Sequence, residues 1–156
     1  ERTLAAMDLA YPSTRKKFAF ALAFQEIVPE TPLSFRNLEL AAALSGHTEP
    51  NLSVRVSDGA HSLFYSGDGR PTEATGKLAR GVDLLVHESY SMALEIEGHG
   101  TVPGSIAMAG ECGASRLALV HIKRDIRRGK YREILRLAEA AEMEVLLPEP
   151  GQVVIM

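Results

Sequence analysis

The sequence predicts an α/β (α+β) protein built as one β-sheet layer covered by helices. In the first half, short segments of alternating apolar residues are separated by turn residues, which is typical of antiparallel strands. In the second half, apolar runs of strand length alternate with helix-like segments, which is typical of a sheet covered by helices. The 156 residues are enough for about one domain.

The first half is predicted to be a helix followed by a meander of short strands. The helix covers residues 2–10, and the predicted strands cover residues 20–28, 33–35, 38–45, 51–57 and 62–67. Asp58-Gly59 predicts the tight hairpin turn between the last two of these strands.

The second half is predicted to alternate helices and strands. The predicted helices cover residues 72–80, 103–113 and 130–144, and the predicted strands cover residues 82–89, 116–122, 145–150 and 152–156. Thr72 is the predicted cap of the first helix, since threonine side chains accept backbone N–H groups there. The last helix has its apolar residues on one stripe, as an amphipathic helix does.

Composition excludes some classes of protein. The net charge of −3 argues against a general nucleic-acid-binding protein, and no apolar run approaches the length that spans a membrane. The single cysteine, Cys112, suits a reducing compartment, so we predict a cytoplasmic location. The charge is uneven, because residues 123–132 carry six basic side chains and one acidic one.

Three predicted strands lead directly into residues that can bind a metal. His47, Asp68 and His121 each follow such a strand, and imidazole and carboxylate groups suit zinc and similar ions. Each residue alone also has an ordinary explanation, because a histidine can cap a strand and an aspartate before glycine forms turns. The three together indicate a candidate metal site.

Two further residues suggest acid–base chemistry. Glu88 ends a predicted strand and His99 precedes a predicted helix. A carboxylate that orients an imidazole can hold it ready as a general acid or base. The alternative is that Glu88 only caps or pairs at the surface. His61, in the hairpin, is predicted to be exposed and without a role.

Five segments, in chain order, resemble motifs of the metallo-β-lactamase superfamily, and within it the ribonuclease Z-like branch. The segment GHTEPNLSVRVSDG resembles the family segment that carries the third metal-binding histidine. The segment YSGDGRPT resembles the family's Ser-Gly-Asp-Thr-Arg-Pro segment. The family's His-Glu-Ala-Thr motif resembles LLVHES. Its His-Ser-Thr loop, with the following helix and strand, resembles GHGTVPGSIAMAGECGASRLALVHI, and its closing strands resemble LLPEPGQVVIM.

The resemblance implies a role for each matching residue. His47 would bind one metal ion, His121 a second, and Asp68 both, the ions being Zn²⁺, with Mn²⁺ or Fe²⁺ as alternatives. Glu88 and His99 would protonate the leaving group. Ser89-Tyr90 stands where the branch has Ala-Thr, and Gly100 stands where it has Ser.

One part of the family pattern is absent from the sequence. The signature His-X-His-X-Asp-His does not occur, and no two histidines lie closer than 12 positions apart. We therefore expect residues 1–156 to be the C-terminal portion of a metallo-β-lactamase-fold domain, an αββα sandwich. The missing N-terminal half, a partner chain or a second copy in a homodimer would cover its inner face.

The function implied is a metal-dependent hydrolase in which a hydroxide between two metal ions attacks a phosphodiester. This piece alone would be inactive. Lys123 and Arg124, at the start of the basic stretch, would bind a small anionic ester or a short oligonucleotide, although a solvated loop explains them equally well. Transfer RNA maturation is not favoured, because only 20 residues separate His47 from Asp68 and a hairpin uses them.

Two alternatives remain open. The same fold could hydrolyse lactones, sulfate esters or thioesters, since one fold supports many reactions. The chain could also be a non-catalytic half-domain that serves binding or assembly.

Overall fold

The computed structural model describes residues 2–21, 23–93 and 96–156. Seven strands form the sheet: β1 (Leu33–Phe35), β2 (Leu38–Leu44), β3 (Leu52–Ser57), β4 (Ser62–Tyr65), β5 (Leu84–Glu88), β6 (Arg116–Val120) and β7 (Glu144–Leu146). The α-helices are α1 (Arg2–Ala10), α2 (Glu73–Leu78), α3 (Val102–Cys112), α4 (Arg124–Gly129) and α5 (Tyr131–Glu139). The predicted α/β class is confirmed.

The strands lie in the sheet in the same order as in the chain, from β1 to β7. β1 to β4 are antiparallel and joined by short turns, whereas β4 to β7 are parallel. A parallel pair needs a crossover, and α2, α3 and α4–α5 supply the three crossovers. The sheet therefore changes character at β4.

This topology collects several chain segments at one end of the sheet. Parallel strands β4, β5 and β6 finish at the same end, and β2, two antiparallel steps from β4, finishes there too. We call this the carboxyl end of the sheet. The β3–β4 turn, which contains His61, lies at the opposite end.

Three helices cover one face of the sheet. Phe64, Leu85 and Leu117 point to this face and are fully buried with Ile134 of α5. The side chain of Thr72 caps α2 as predicted, by accepting a hydrogen bond from the backbone of Thr75. Burial of these side chains is the main favourable term that holds helices to the sheet.

The opposite face of the sheet is apolar and partly exposed. Leu52 and Val54 lie on this face and are half-buried. Their cross-strand neighbours Leu44 and Tyr65 are 52% and 51% exposed. A soluble domain rarely leaves such a surface uncovered.

Two predicted strands are wrong, and one helix was not predicted. The described residues of segment 20–28 form no strand, and Phe20, Phe24 and Val28 remain more than half exposed because the segment lies outside the sheet. Residues 152–156 form no strand either. Their contact with the sheet includes a hydrogen bond from the side chain of Arg116 in β6 to the carbonyl of Ile155. Helix α4 is too charged to show an apolar stripe. Within the described residues, no helix is both long and apolar enough to cross a bilayer.

Candidate metal and acid–base centre

Asp68 and His121 meet at the carboxyl end of the sheet. Asp68 lies just beyond β4 and His121 follows β6 directly. The distance from Asp68 Oδ1 to His121 Nδ1 is 3.1 Å, and each side chain is 46% exposed. Two donor atoms therefore stand side by side and open to solvent.

Asp68 is held by a loop that requires glycine on both sides. Gly67 and Gly69 have φ angles of +62° and +126°, which side chains strongly disfavour. A Cβ on Gly69 would lie only 2.5 Å from Ser45 Oγ. The same Ser45 hydroxyl donates a 2.6 Å hydrogen bond to the carbonyl of Asp68. The glycines thus allow the β2 and β4 loops to approach each other closely.

His121 has an unusual backbone conformation. Its φ is +52°, which is uncommon for a residue other than glycine. Such residues concentrate at functional sites, because the surrounding structure must hold the strain. The conformation turns the chain sharply at the end of β6, beside Asp68.

Glu88 is buried and makes several hydrogen bonds. Its side chain is 1% exposed. Oε1 accepts hydrogen bonds from the backbone N–H groups of Gly69 at 3.0 Å and Gly100 at 2.7 Å, and Oε2 accepts one from Tyr90 at 3.1 Å. Charge-assisted bonds of this kind offset the loss of hydration on burial. Glu88 thus ties together the loops that follow β4 and β5.

His99 is oriented by Glu88. His99 Nδ1 lies 3.3 Å from Glu88 Oε1, and because a carboxylate only accepts, we assign the proton to Nδ1. Arg70 fixes the same loop by donating to the carbonyls of His99 and Ile96 at 3.1 and 3.0 Å. Nε2 of His99 is left as the nitrogen that can exchange a proton with a substrate.

Four aromatic rings pack together around these groups. The ring of Tyr90 stacks on His99 with 4.6 Å between centroids and stands edge-on to His121 at 5.4 Å. His47 stands edge-on to His99 at 5.3 Å. Its Nδ1 accepts a hydrogen bond from the backbone N–H of Glu49 at 3.2 Å and also lies 3.3 Å from the carbonyl of Glu49.

The donor set fits a divalent metal ion in part. Ligand atoms about 2.0–2.2 Å from one ion lie about 3 Å apart, as those of Asp68 and His121 do. Ligand atoms of Glu88, His99 and His121 also lie within 4.8 Å of one another. Glu88 is nevertheless a poor ligand, because N–H groups already engage both of its oxygens. Asp68 and His121 are the better candidates, and His47 stays a predicted ligand whose ring contacts that of His99.

His87, next to Glu88 in β5, belongs to the interior. It is 1% exposed, and its Nδ1 contacts the carbonyl of Glu88 at 2.5 Å and the hydroxyl of Ser105 at 3.2 Å. Burial lowers the pKa of His87 from its usual value, so the ring is neutral at pH 7. It supports the strand end that carries Glu88.

The basic stretch divides into paired and unpaired side chains. Lys123 forms an exposed ion pair with Asp125 at 3.3 Å, so its charge is partly neutralised. Arg124 lines a cleft that begins at His121.

His61 is exposed and lies 3.9 Å from Asp58 in the hairpin turn at the other end of the sheet.

The structure brings His121 against Asp68 and His99 against Glu88, and it places the ring of His47 edge-on to that of His99. Sequence reasoning missed Tyr90 and Arg70, which hold His99 in position. The sequence does differ from the family motif at Tyr90, which marks this residue as unusual. The contacts of Tyr90 with His99 and His121 could not be predicted from the spacing of the residues.

Comparison with known proteins gives a consistent result. The Beta-lactamase superfamily domain matches residues 3–122. Ribonuclease Z of Methanothermobacter thermautotrophicus is 30% identical over 134 residues, and the match covers 71% of this chain and 43% of the relative. The chain therefore spans less than half the length of this curated relative.

Solved structures share the fold. The metallo-beta-lactamase fold protein YhfI from Bacillus subtilis superimposes with a TM-score of 0.70 at 21% identity, covering 93% of this chain and 61% of that one. The short form of human tRNase Z superimposes with a TM-score of 0.62 at 22% identity, covering 79% of this chain and 44% of that one.

Proposed function

The chain belongs to the metallo-β-lactamase superfamily, in its ribonuclease Z-like branch, and from that membership we propose that it is the C-terminal portion of a metal-dependent phosphodiesterase. The observation that carries the proposal is the 3.1 Å contact between Asp68 and His121, beside the Glu88–His99 pair. Metal ligands and a general acid would then lie at one end of one sheet.

In this proposal His47, Asp68 and His121 hold divalent metal, of which Zn²⁺ best suits the imidazole and carboxylate donors. When bound, such metal activates water and stabilises negative charge on the substrate. Glu88 keeps the Nδ1 proton of His99 in place, so that Nε2 faces the open site. In its doubly protonated form, His99 would donate the Nε2 proton to the departing oxygen and keep the Nδ1 proton, as a general acid does.

We propose a small anionic ester or a short oligonucleotide as substrate. The 20 residues between His47 and Asp68 form the β3–β4 hairpin, which leaves no long arm to clamp a folded RNA. Arg124 lines the cleft beside His121, which favours a negatively charged substrate. Lys123 contributes less, because Asp125 already pairs with it.

The exposed apolar sheet face supports the view that this is one portion of an αββα sandwich. Leu44 and Tyr65 on that face are more than half exposed, and the chain covers only 43% of a matched ribonuclease Z. We propose that a further part of the protein, or a partner chain, packs there and completes the site. The present residues alone would be inactive. The free, buried thiol of Cys112 supports a reducing, cytoplasmic setting.

The test is hydrolysis by the complete gene product. We expect purified protein to hydrolyse bis(nitrophenyl) phosphate, to lose activity with a chelator and to regain it with Zn²⁺ or Mn²⁺. Asp58→Ala, which removes a carboxylate at the far end of the sheet, should behave like the wild type. Faster turnover of a lactone or thioester would overturn the phosphodiester proposal. Metal-free protein that binds partners but cleaves none of these esters would overturn the enzymatic one.

A further inference from the structure

The cleft that is lined by Arg124 opens directly beside the candidate centre. It has a volume of about 930 Å³ and begins at His121. The remaining walls come from α4, the first residue of α5 and the segment after β7. They include Arg124, Arg127, Arg128, Tyr131, Pro148 and Glu149. A group bound there would be next to a substrate held at Asp68 and His121.

Two guanidinium groups in this cleft are free to bind a ligand. Arg124 and Arg128 lie four residues apart on α4, so both side chains leave the same side of the helix. Neither forms a hydrogen bond or an ion pair with any residue in the described part of the chain. Both nevertheless line the cleft.

A third arginine stiffens the wall. Arg127 donates hydrogen bonds to the carbonyls of Leu147 and Pro148, both at 3.2 Å, and to the carboxylate of Glu149 at 2.8 Å. Its side chain is 24% exposed. This arginine therefore joins α4 to the segment after β7 and neutralises Glu149. The cleft keeps a positive excess in a chain whose net charge is −3.

We propose that this cleft binds a phosphate group of the substrate other than the one that is cleaved. Guanidinium groups match phosphate oxygens in geometry as well as charge, and two unpaired ones on one helix side can engage a single phosphate. That the bound group belongs to the substrate rests on the proposed function. The preferred substrate then carries a second phosphate beside the scissile bond, rather than being a neutral ester.

The second phosphate could come from a diphosphate or from a nucleotide. Tyr131, 42% exposed in the same cleft, offers a flat ring on which a base could stack. If the source is a nucleotide, adenosine monophosphate should bind more tightly than inorganic phosphate, and Tyr131→Leu should remove the difference. If the source is a diphosphate, pyrophosphate should bind best and Tyr131→Leu should leave its affinity unchanged.

The test measures binding to the complete, chelator-treated protein, so that metal ions do not contribute. Calorimetric titration with pyrophosphate at low salt should give saturable binding. Arg124→Ala and Arg128→Ala should each weaken it by about tenfold, the usual effect of losing a charge-assisted hydrogen bond. The matched control is Arg36→Ala, which removes the same charge from the exposed β1–β2 turn at the other end of the sheet.

Equal weakening in all three variants would mean a general charge effect and would overturn the subsite. The subsite would also be overturned if the wild type bound none of the three anions (pyrophosphate, adenosine monophosphate and inorganic phosphate) in a saturable way. The outcome is separate from that of the hydrolysis test, since binding needs no metal. A protein that hydrolyses phosphodiesters but binds these anions with unchanged affinity in Arg124→Ala and Arg128→Ala would refute the cleft proposal alone.

Discussion

Glu88 and Asp68 are carboxylates at the same end of the sheet, but their surroundings differ. Glu88 is 1% exposed and accepts three backbone N–H groups besides its contact with His99. Asp68 is 46% exposed, and its side chain pairs with His121. The buried carboxylate organises loops of this chain, whereas the exposed one has lone pairs available for a ligand. Position near a site is therefore a poor guide to role; hydrogen-bond saturation is a better one.

The largest expected effect is the loss of activity in Asp68→Ala. We expect this variant of the complete protein to hydrolyse no bis(nitrophenyl) phosphate and to bind less metal, measured by elemental analysis. Its unfolding free energy should change by less than about 1 kcal/mol, because an exposed ion pair contributes little. A variant that keeps its metal and its activity would mean that Asp68 only shapes a turn.

The next effect is expected for His99→Ala. Turnover of an alkyl or nucleoside phosphodiester should fall by about 10²–10⁴-fold, the usual contribution of a general acid. Turnover of a nitrophenyl ester should fall much less, because that group departs without a proton. Metal content should be unchanged. Equal losses on both esters would show that His99 positions the substrate or supports the fold instead.

Glu88→Ala should act mainly on stability. The substitution would leave the buried N–H groups of Gly69 and Gly100 and the partly buried one of Tyr90 without an acceptor, at a cost of about 2–4 kcal/mol. Urea denaturation measures this directly, and Glu73→Ala, on the exposed first turn of α2, is the control. If the two variants unfold at the same urea concentration, the contrast between Glu88 and Asp68 is wrong.

The smallest effect is expected at Tyr90. Tyr90→Thr removes the ring that stacks on His99, so His99 should sample more orientations. We expect about a tenfold fall in kcat with the alkyl ester and little change with the nitrophenyl ester. Tyr90→Phe should restore the wild-type rate, because the ring supplies the contact. A Phe variant as slow as the Thr variant would assign the role to the hydroxyl group.

The helix and strand pattern explains why much of the site could be predicted. Parallel strands end together, so polar residues at the ends of β4, β5 and β6 had to meet near Asp68 and His121. The saturation of Glu88 could not be predicted, because it depends on N–H groups from loops whose path is set by Gly69 and Gly100. These hydrogen bonds depend on how the loops pack in three dimensions, which the local sequence pattern does not report.

Other features were misread or missed for equally physical reasons. The segment 20–28 has a strand-like composition, but its described residues pair with no strand of the sheet, and composition alone does not decide pairing. Arg128 looked like any charge of the basic stretch. Its membership of the cleft depends on α4, whose formation no apolar periodicity signalled.

The strand order has a consequence for how the chain folds. Within the part of the chain that the structure describes, each strand pairs with the next one along the sequence, so each pairing closes one hairpin or one crossover. Contacts that are close in sequence lower the entropic cost of the folding transition state and raise the folding rate. The seven-stranded sheet should therefore form as a cooperative unit while it emerges from the ribosome.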